Sequence, residues 1–432
     1  MNGIVIAAPG TGSGKTLVSL GLARALARRG VSVTPAKTGP DYIDAAYLAR
    51  AAGREALTLD PWAMSPDRLR DLASVAGNLL VEGVMGLFDG ARDGTGSTAD
   101  LAGLLGLPVL LVVNAEGQGA TLAALVSGLA RWRPGLQVTG VILNRVSSQS
   151  HAALLTRALA ATGLPVLGIL PKNEALKVPS RHLGLVLPGE LDHEALVNAA
   201  ADAVEAHLDL DAILALSRPA MTPAAPAPRL APLGQVIAIA RDQAFAFLYA
   251  HWLRDWHAQG ATLRFFSPLA DEVLPEADAI FLPGGYPELH ASQLEAATRF
   301  RAGMQQAATR GTLIYGECGG FMVLGRTLTD ATGITHEMTG LLPHSTRIDK
   351  PRRTLGYRRL RHQSPLPFAP ALRGHEFHYS SEIPASGTPL FTATDALGAP
   401  VPPMGLQLGR VLGSYAHVID ADPGLPGAPK PG

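Results

Sequence analysis

Ile4-Val5-Ile6-Ala7-Ala8-Pro9-Gly10-Thr11-Gly12-Ser13-Gly14-Lys15-Thr16 is the stretch on which the fold turns. A short apolar run enters a glycine-rich turn. Thr16 to Arg29 then reads as an amphipathic helix, ended by Gly30. Strand, glycine loop and helix in that order make a phosphate-binding loop. Across Gly10, Thr11, Gly12, Ser13 and Gly14 the backbone N–H groups turn inward toward phosphate oxygens, and the helix start adds positive potential. Lys15 then pairs with the outer phosphates of a nucleotide, and the Thr16 hydroxyl is placed to ligate Mg²⁺. The strict pattern has a glycine five residues before Gly14. Pro9 stands there, so the loop is a variant.

Outward from this loop the same grammar repeats. Leu79 to Val81, Val109 to Val113, Val138 to Leu143 and Val166 to Leu170 are short apolar runs separated by helical stretches. Continuous apolar strands alternating with helices predict a parallel sheet covered on both faces. In the second half, Val236 to Ala240, Ala279 to Leu282 and Thr312 to Tyr315 follow suit, so both halves are expected to be α/β. Between them, 217–233 holds Pro219, Pro223, Pro226, Pro228 and Pro232 among alanines. Such a segment should be stiff and extended, with no helix or central strand. The expected division is therefore 1–216, a linker at 217–233, 234–422, and a loose tail at 423–432, with the looseness starting near Ala421.

Composition excludes several classes. The chain has 432 residues and 47% hydrophobic content, enough for two buried cores. Lys+Arg and Asp+Glu are both 36, so no net charge points to nucleic acid or an anionic membrane. One cysteine cannot close an internal disulfide, which fits a reducing, cytoplasmic setting. The longest apolar run, Leu101 to Val113, is broken by Pro108 and is too short to span a bilayer. No basic, apolar leader opens the sequence, so a signal peptide is not expected.

A nucleotide with Mg²⁺ needs carboxylates. Two clusters offer them at expected strand ends: Lys37-Thr38-Gly39-Pro40-Asp41-Tyr42-Ile43-Asp44, and Glu82-Gly83-Val84-Met85-Gly86-Leu87-Phe88-Asp89-Gly90. Glu82 directly follows an apolar run and precedes a glycine, where a parallel strand would deliver a metal ligand. Thr16, Asp41 and Glu82 are the expected metal ligands. No paired Cys/His spacing suggests zinc.

The second half carries Gly316-Glu317-Cys318-Gly319-Gly320 after an apolar strand and before an apolar helical stretch. Flanking glycines permit a tight strand-to-helix elbow that exposes a nucleophile. The helix start is expected to lower the thiol pKa. Gly319 N–H is one oxyanion donor, and Gly285 of Pro283-Gly284-Gly285-Tyr286-Pro287 is the choice for the second. A thiolate needs a general base. Among thirteen histidines, His417, His375 and His378 are candidates that spacing alone does not separate.

Arg347, Lys350, Arg352, Arg353, Arg358, Arg359 and Arg361 fall within fifteen residues, opposed in sequence only by Asp349. With Tyr357 as its sole aromatic, the stretch serves base stacking poorly. It suits a polycarboxylate or phosphate ligand better, or a solvated surface.

Taken together, these pieces resemble the cobyrinic acid a,c-diamide synthase family over nearly the whole chain. The matching strings are Ser13-Gly14-Lys15-Thr16, the two carboxylate clusters, Pro179-Ser180-Arg181-His182-Leu183-Gly184-Leu185, Arg241-Asp242-Gln243-Ala244-Phe245, Pro283 to Glu288, Tyr315 to Gly320, Gly374-His375-Glu376-Phe377-His378-Tyr379 and Ser414-Tyr415-Ala416-His417. The cobyric acid synthase family is similar in plan. The resemblance implies an N-terminal ATP-dependent amide ligase domain similar to dethiobiotin synthetase and a C-terminal triad-type glutamine amidotransferase domain. It implies L-glutamine and a corrinoid as substrates, with the a and c carboxylates amidated in cobalamin synthesis, and no nucleic-acid or membrane partner. A homodimer is allowed. By motif, Cys318 is the glutaminase nucleophile and His417 its base. Tyr42, Asp44, Asp89, Arg181 and His182 are the expected substrate contacts. Related amidotransferases carry Glu two residues after the histidine. Here Ile419 stands there, which leaves the third triad position open. The cobalt corrinoid is put first, with metal-free hydrogenobyrinic acid as the alternative. A P-loop ATPase scaffold with an inactive amidotransferase-like module is the reading from another class. Ammonia passing between the domains leads to the expectation of a closed passage.

Overall fold

The computed structural model describes residues 2–74, 77–173, 180–181, 184–185, 193–350, 353–383 and 386–424. They fall into two compact units, Met1–Ala227 and Pro228–Gly432. Among the described residues no helix is long and apolar enough to cross a membrane.

The first unit is built on seven parallel strands: β1 (Asn2–Ala7), β2 (Val33–Thr38), β3 (Leu57–Leu59), β4 (Asn78–Glu82), β5 (Val109–Asn114), β6 (Val138–Val146) and β7 (Val166–Pro171). Their order is β3-β2-β4-β1-β5-β6-β7. Most of the residues in β1, β2, β4 and β5 are buried; β1, β4 and β5 accordingly carry apolar runs, whereas β2 is mixed and buries Thr34, Lys37 and Thr38. The chain winds outward from β1 to one side, returns through β4, and then crosses to β5. That reversal places a crevice at the carboxyl ends of β1 and β4, where ligands bind in open parallel sheets. Helix α1 (Lys15–Arg28) leaves the glycine loop, and α2 (Tyr42–Ala52) follows β2.

The proline-rich segment holds one short strand at its start. Arg218–Pro219 is a two-residue strand antiparallel to β1, opposite Asn2 and Gly3. β5 pairs with β1 only from Val5 onward, so that flank of β1 is open there. Proline has no N–H to extend the ladder.

In the second unit, Thr262–Phe266, Val236–Ala240, Ala279–Leu282, Leu313–Glu317 and Val411–Ser414 are parallel neighbours in that order. Leu406–Leu408 adds an antiparallel edge. Apolar runs in the sequence foretell Val236–Ala240, Ala279–Leu282 and Leu313–Glu317 of this sheet, and not Thr262–Phe266 or the Leu406–Leu408 edge. A five-stranded antiparallel sheet runs Pro400–Met404, Phe391–Thr394, Thr354–Arg361, Ala371–His378, Ala416–Ala421. A four-stranded sheet adds Thr335–Glu337, Thr327–Thr329, Ser345–Arg347 and Ser381–Ile383. Ala421, expected to begin the loose tail, instead closes a strand opposite Leu372. Residues 425–432 lie outside the described residues.

Candidate active sites

In the first unit, the loop after β1 is held from below. The Ser13 hydroxyl donates to Gly10 O at 2.8 Å, and Asn144, at the end of β6, donates from Nδ2 to Ser13 O at 2.9 Å. Gly12 and Gly14 have φ of 81° and 94°, the left-handed region that glycine enters without strain. A cavity of about 670 Å³ opens above, lined by Thr11, Gly12, Gly14, Lys15, Thr16 and carboxylates from two further elements.

Those carboxylates are neutralised from inside the protein. Lys37 on β2 and Glu82 on β4 are partners across the ladder. Lys37 Nζ donates to Glu82 Oε1 at 3.0 Å and to Asp44 Oδ2 at 2.5 Å, with the lysine only 3% exposed. Burial pulls the ammonium down, but Glu82, Asp44 and Asp41 outweigh it and hold Lys37 above its ordinary pKa. Thr16 Oγ1 donates to Glu82 Oε1 at 2.7 Å. Burial raises Glu82, and its Oε2 is buried with no hydrogen-bond partner. Lys15 Nζ donates to Met85 O at 2.6 Å, and burial followed by Lys37 lowers its pKa.

The expected site residues sort unevenly. Thr16, Asp41, Asp44 and Glu82 all line the cavity. Asp41 also caps α2, accepting from Ile43 N–H at 2.9 Å and Asp44 N–H at 3.1 Å. Burial, with Asp44 next, pushes its carboxyl up to about 6. Tyr42 begins α2 beside it. Asp89 is occupied in its own loop, accepting from Gly86 N–H at 2.7 Å. Arg181 lies in a two-residue strand paired with Gly184–Leu185; its side chain and His182 lie outside the described residues. Among the described residues no group of three His, Cys, Asp or Glu side chains forms a ready metal cluster. Mg²⁺ does not need one, since it keeps waters and binds one or two carboxylates together with phosphate. The unpartnered Glu82 Oε2, the Thr16 hydroxyl and the Asp41 carboxylate supply hard oxygen donors that fit it.

The second unit builds the elbow as the glycines foretold. Cys318 has φ 47° and ψ −106°, a strained conformation for a residue with a Cβ. A β-carbon on Gly320 would lie 1.9 Å from Leu282 O, so the turn closes only without one. Cys318 N–H donates to Ser414 O at 2.8 Å, tying the elbow to the neighbouring strand. The thiol pKa departs from expectation. The helix after it, Gly319–Leu324, is six residues long, and burial with Glu288 drives the thiol well up rather than down.

His417 sits within the strand Ala416–Ala421, just after the strand Val411–Ser414. Gly284 selects it as the histidine beside the thiol. A β-carbon there would lie 2.3 Å from His417 Cε1 and 3.3 Å from Cys318 Cβ, so both side chains abut that glycine. His375 lies directly across the ladder from His417. His378 Nε2 is paired with Glu376 Oε1 at 2.9 Å, and its ring stacks on Tyr415 with centroids 4.1 Å apart. Burial drives His417 down to about 3, with His375 and His378 adding to it, so the imidazole rests neutral as a base must. Gly319 and Gly285 come together: a β-carbon on Gly319 would lie 3.0 Å from Gly285 N.

The basic stretch is partly spent. Arg347 pairs with Asp349 at 2.5 Å. Arg358, on the strand Thr354–Arg361, pairs with Glu376 of the neighbouring strand at 2.7 Å. Sequence shows one opposing acid, and the sheet brings up the second. Arg352 lies outside the described residues.

Two sites of this kind in one chain are matched by known proteins. Residues 4–186 match the CobQ/CobB/MinD/ParA nucleotide-binding domain, and residues 236–423 match the CobB/CobQ-like glutamine amidotransferase domain. A hydrogenobyrinate a,c-diamide synthase of Brucella anthropi is 52% identical over 97% of this chain and 99% of its own. The chain belongs to the cobyrinic acid a,c-diamide synthase family. Proteins of the same name from Rhizobium meliloti and Rhodobacter capsulatus are 51% and 48% identical, over 97% and 96% of this chain. It is thus a glutamine-hydrolysing carbon–nitrogen ligase of cobalamin biosynthesis with a nucleotide-binding domain.

Three side chains of this family member escape a reading of the sequence alone. Lys37 opens one of the quoted clusters, but the mixed stretch before it, Val33 to Ala36, gave no strand signal. Asn144 ends an apolar run, and that place was its signal. Glu317, 2% exposed beside the thiol, had no signal except its place in the elbow.

Proposed function

We propose that this enzyme amidates the a and c carboxylates of hydrogenobyrinic acid, using ATP and ammonia from glutamine. The observation that carries the reading is the match over 97% of the chain to proteins of that name, in a chain that keeps both a lysine-bearing phosphate loop and a Cys318–His417 elbow. Cobyrinic acid, with cobalt, is the second reading, because a carboxylate side chain reacts alike in both.

Cys318 Sγ attacks the side-chain amide carbon of glutamine. His417 takes the thiol proton and returns it to the departing ammonia. Gly319 and Gly285 N–H groups hold the oxyanion. Water then opens the thioester and releases glutamate. In the first unit, backbone N–H groups from Gly10 to Gly14 cradle the phosphates of ATP. Thr16, Glu82 and Asp41 would hold Mg²⁺, which when bound neutralises phosphate charge. A corrinoid carboxylate oxygen attacks the γ-phosphorus and ADP leaves. Lys15 neutralises the charge that develops, and Lys37 keeps Glu82 and Asp44 from repelling it. Ammonia attacks the acyl phosphate carbon, and phosphate departs. Tyr42 and Asp44 stand beside this cavity as substrate contacts, with Asp89, Arg181 and His182 completing the proposed set. A free thiol nucleophile calls for a reducing compartment, the cytoplasm.

The test is a paired assay with ATP, Mg²⁺ and glutamine, read by mass spectrometry. Diamide from hydrogenobyrinic acid is expected. Diamide from cobyrinic acid alone would move the substrate to the cobalt corrinoid. Product from neither, with ATP hydrolysed and glutamine intact, would favour the scaffold reading.

A further inference from the structure

Position 419, two residues past the base, offers no side-chain acceptor. It is Ile419, and its carbonyl accepts from His251 Nε2 at 2.9 Å and Trp252 Nε1 at 3.2 Å, inside the core. A carboxylate does reach the base from elsewhere. Glu317, the residue before the thiol, places Oε2 at 3.8 Å from His417 Nδ1. Both side chains are buried, at 2% and 3% side-chain exposure. The other oxygen is fixed: Oε1 accepts from Tyr315 OH at 2.9 Å and from Val418 N–H at 3.0 Å. Val418 comes directly after His417, so one carboxylate holds the base's own strand and faces its ring. We propose that Glu317 is the positioning residue for His417, holding the imidazole in the tautomer that accepts the thiol proton. This rests on the reading of Cys318 and His417 as nucleophile and base.

The hydrogen bonds to Oε1 decide where a proton can go. Oε1 accepts twice, so a proton on this carboxyl sits on Oε2, the oxygen nearer Nδ1. With Oε2 bare, Nδ1 keeps the ring proton and donates it to Oε2. Nε2 is then the ring nitrogen that accepts the thiol proton. With Oε2 protonated, Oε2 donates to Nδ1 and the ring proton moves to Nε2, which can no longer accept. Shortening 3.8 Å to hydrogen-bond length takes roughly 1 Å of movement, the kind of tightening that catalytic contacts make on binding substrate. When His417 becomes imidazolium, the carboxylate stabilises it across a site from which water is excluded.

This proton placement sets a pH dependence. Burial raises Glu317 to about 8, so the blocked arrangement dominates at neutral pH and glutaminase turnover climbs as pH approaches 8. Other titrating groups face this pair. Tyr315, beside Glu317, is raised well above its ordinary value and stays protonated. His375, from the strand Ala371–His378, is pushed to about 4 by burial and stays neutral, and His378 faces His417 from the same strand. Glu288 and Glu376 face the thiol, with Glu288 raised to about 7 by burial. Glu288 is therefore the competing source of a limb near neutrality, and E288Q is its control.

The experiment measures glutamine hydrolysis by the full-length protein from pH 6 to 9.5. The ligase reaction with ammonium salt in place of glutamine serves as the check on folding. In E317Q the side-chain amide would present N–H to Nδ1 and lock the blocked tautomer. Its glutaminase kcat should fall by about 100-fold or more, with KM within twofold, and the limb near pH 8 should vanish. E317D should recover about tenfold over E317Q with its limb displaced, while E288Q should keep the limb near pH 8. E317Q within threefold of wild type at every pH, with the limb in place, would overturn the proposal. If E317Q also lost ammonium-driven turnover, its fold would be at fault and E317D would decide: a displaced limb supports the proposal and an unmoved one overturns it. C318A keeps the two readings apart, because glutamine hydrolysis surviving in C318A would sink the nucleophile assignment whatever Glu317 does.

Discussion

The two sites treat charge in opposite ways. Around the phosphate loop, Lys15, Lys37, Asp41, Asp44 and Glu82 crowd one cavity, and the lysine at its floor is held charged by two carboxylates. Around the thiol, burial moves the groups nearest the chemistry toward their neutral forms: Cys318 and Glu317 up, His417 down. The difference matches the proposed substrates. ATP and a polycarboxylate arrive carrying charge and need compensation already in place. The side-chain amide of glutamine is uncharged, and the thiolate need exist only while it attacks.

The contrast breaks most sharply on substitution of one key residue in each site. Cys318→Ala should lower glutamine-driven amidation by about 10⁴-fold or more while amidation from ammonium salt continues. Lys15→Ala should do the reverse, cutting ATP-dependent amidation by about 10²–10³-fold with glutamine hydrolysis largely kept. Loss of both activities in either variant would show that the sites cannot be separated as drawn.

A smaller effect tests the charge floor. Lys37→Met leaves Glu82 and Asp44 buried without their cation. Breaking a buried pair from one side costs about 3–5 kcal/mol, so urea unfolding of the first unit should begin much earlier. Saturating Mg²⁺ should recover part of the loss, since it would satisfy the same oxygens. A variant as stable as wild type would mean that the buried lysine–carboxylate pairs contribute nothing to stability.

The smallest effect reads the neutral site. His417 has a folded pKa of about 3 against an ordinary 6.5, so its contribution to stability is present above pH 6.5 and is lost as pH falls toward 3. Between those limits the unfolded chain binds one proton more, worth about 1.4 kcal/mol per pH unit. His417→Gln should flatten the acid slope of unfolding free energy against pH by that amount. An unchanged slope would place the imidazole in water.

Much of this was legible in the sequence because it is local. Gly10 to Thr16 must turn as they do wherever they stand, and Gly316 and Gly320 flanking Cys318 leave the elbow few alternatives. Short apolar runs marked most of the parallel strands, since both faces of such strands are buried, but not Val33–Thr38, Leu57–Leu59, Thr262–Phe266 or Val411–Ser414. The further sheets after Gly325 were not legible: Thr354–Arg361 is half exposed and mixed in character, and Ala371–His378, though mostly buried, carries Arg373, His375, Glu376 and His378 and so does not read as an apolar run.

What the sequence by itself determined is the residue chemistry: a phosphate loop, a thiol elbow, and two α/β cores to carry them. What only the tertiary structure decided is which distant groups complete each site. Lys37 meets Glu82 because β2 and β4 are neighbours out of chain order. His417 was separated from His375 and His378 by its contact with Gly284, in the turn that follows a strand of a different sheet. Glu317 faces His417, a hundred residues further on, because the strand Leu313–Glu317 lies beside Val411–Ser414, which leads into the histidine's strand. Such pairings depend on strand order and register, and no local spacing encodes either.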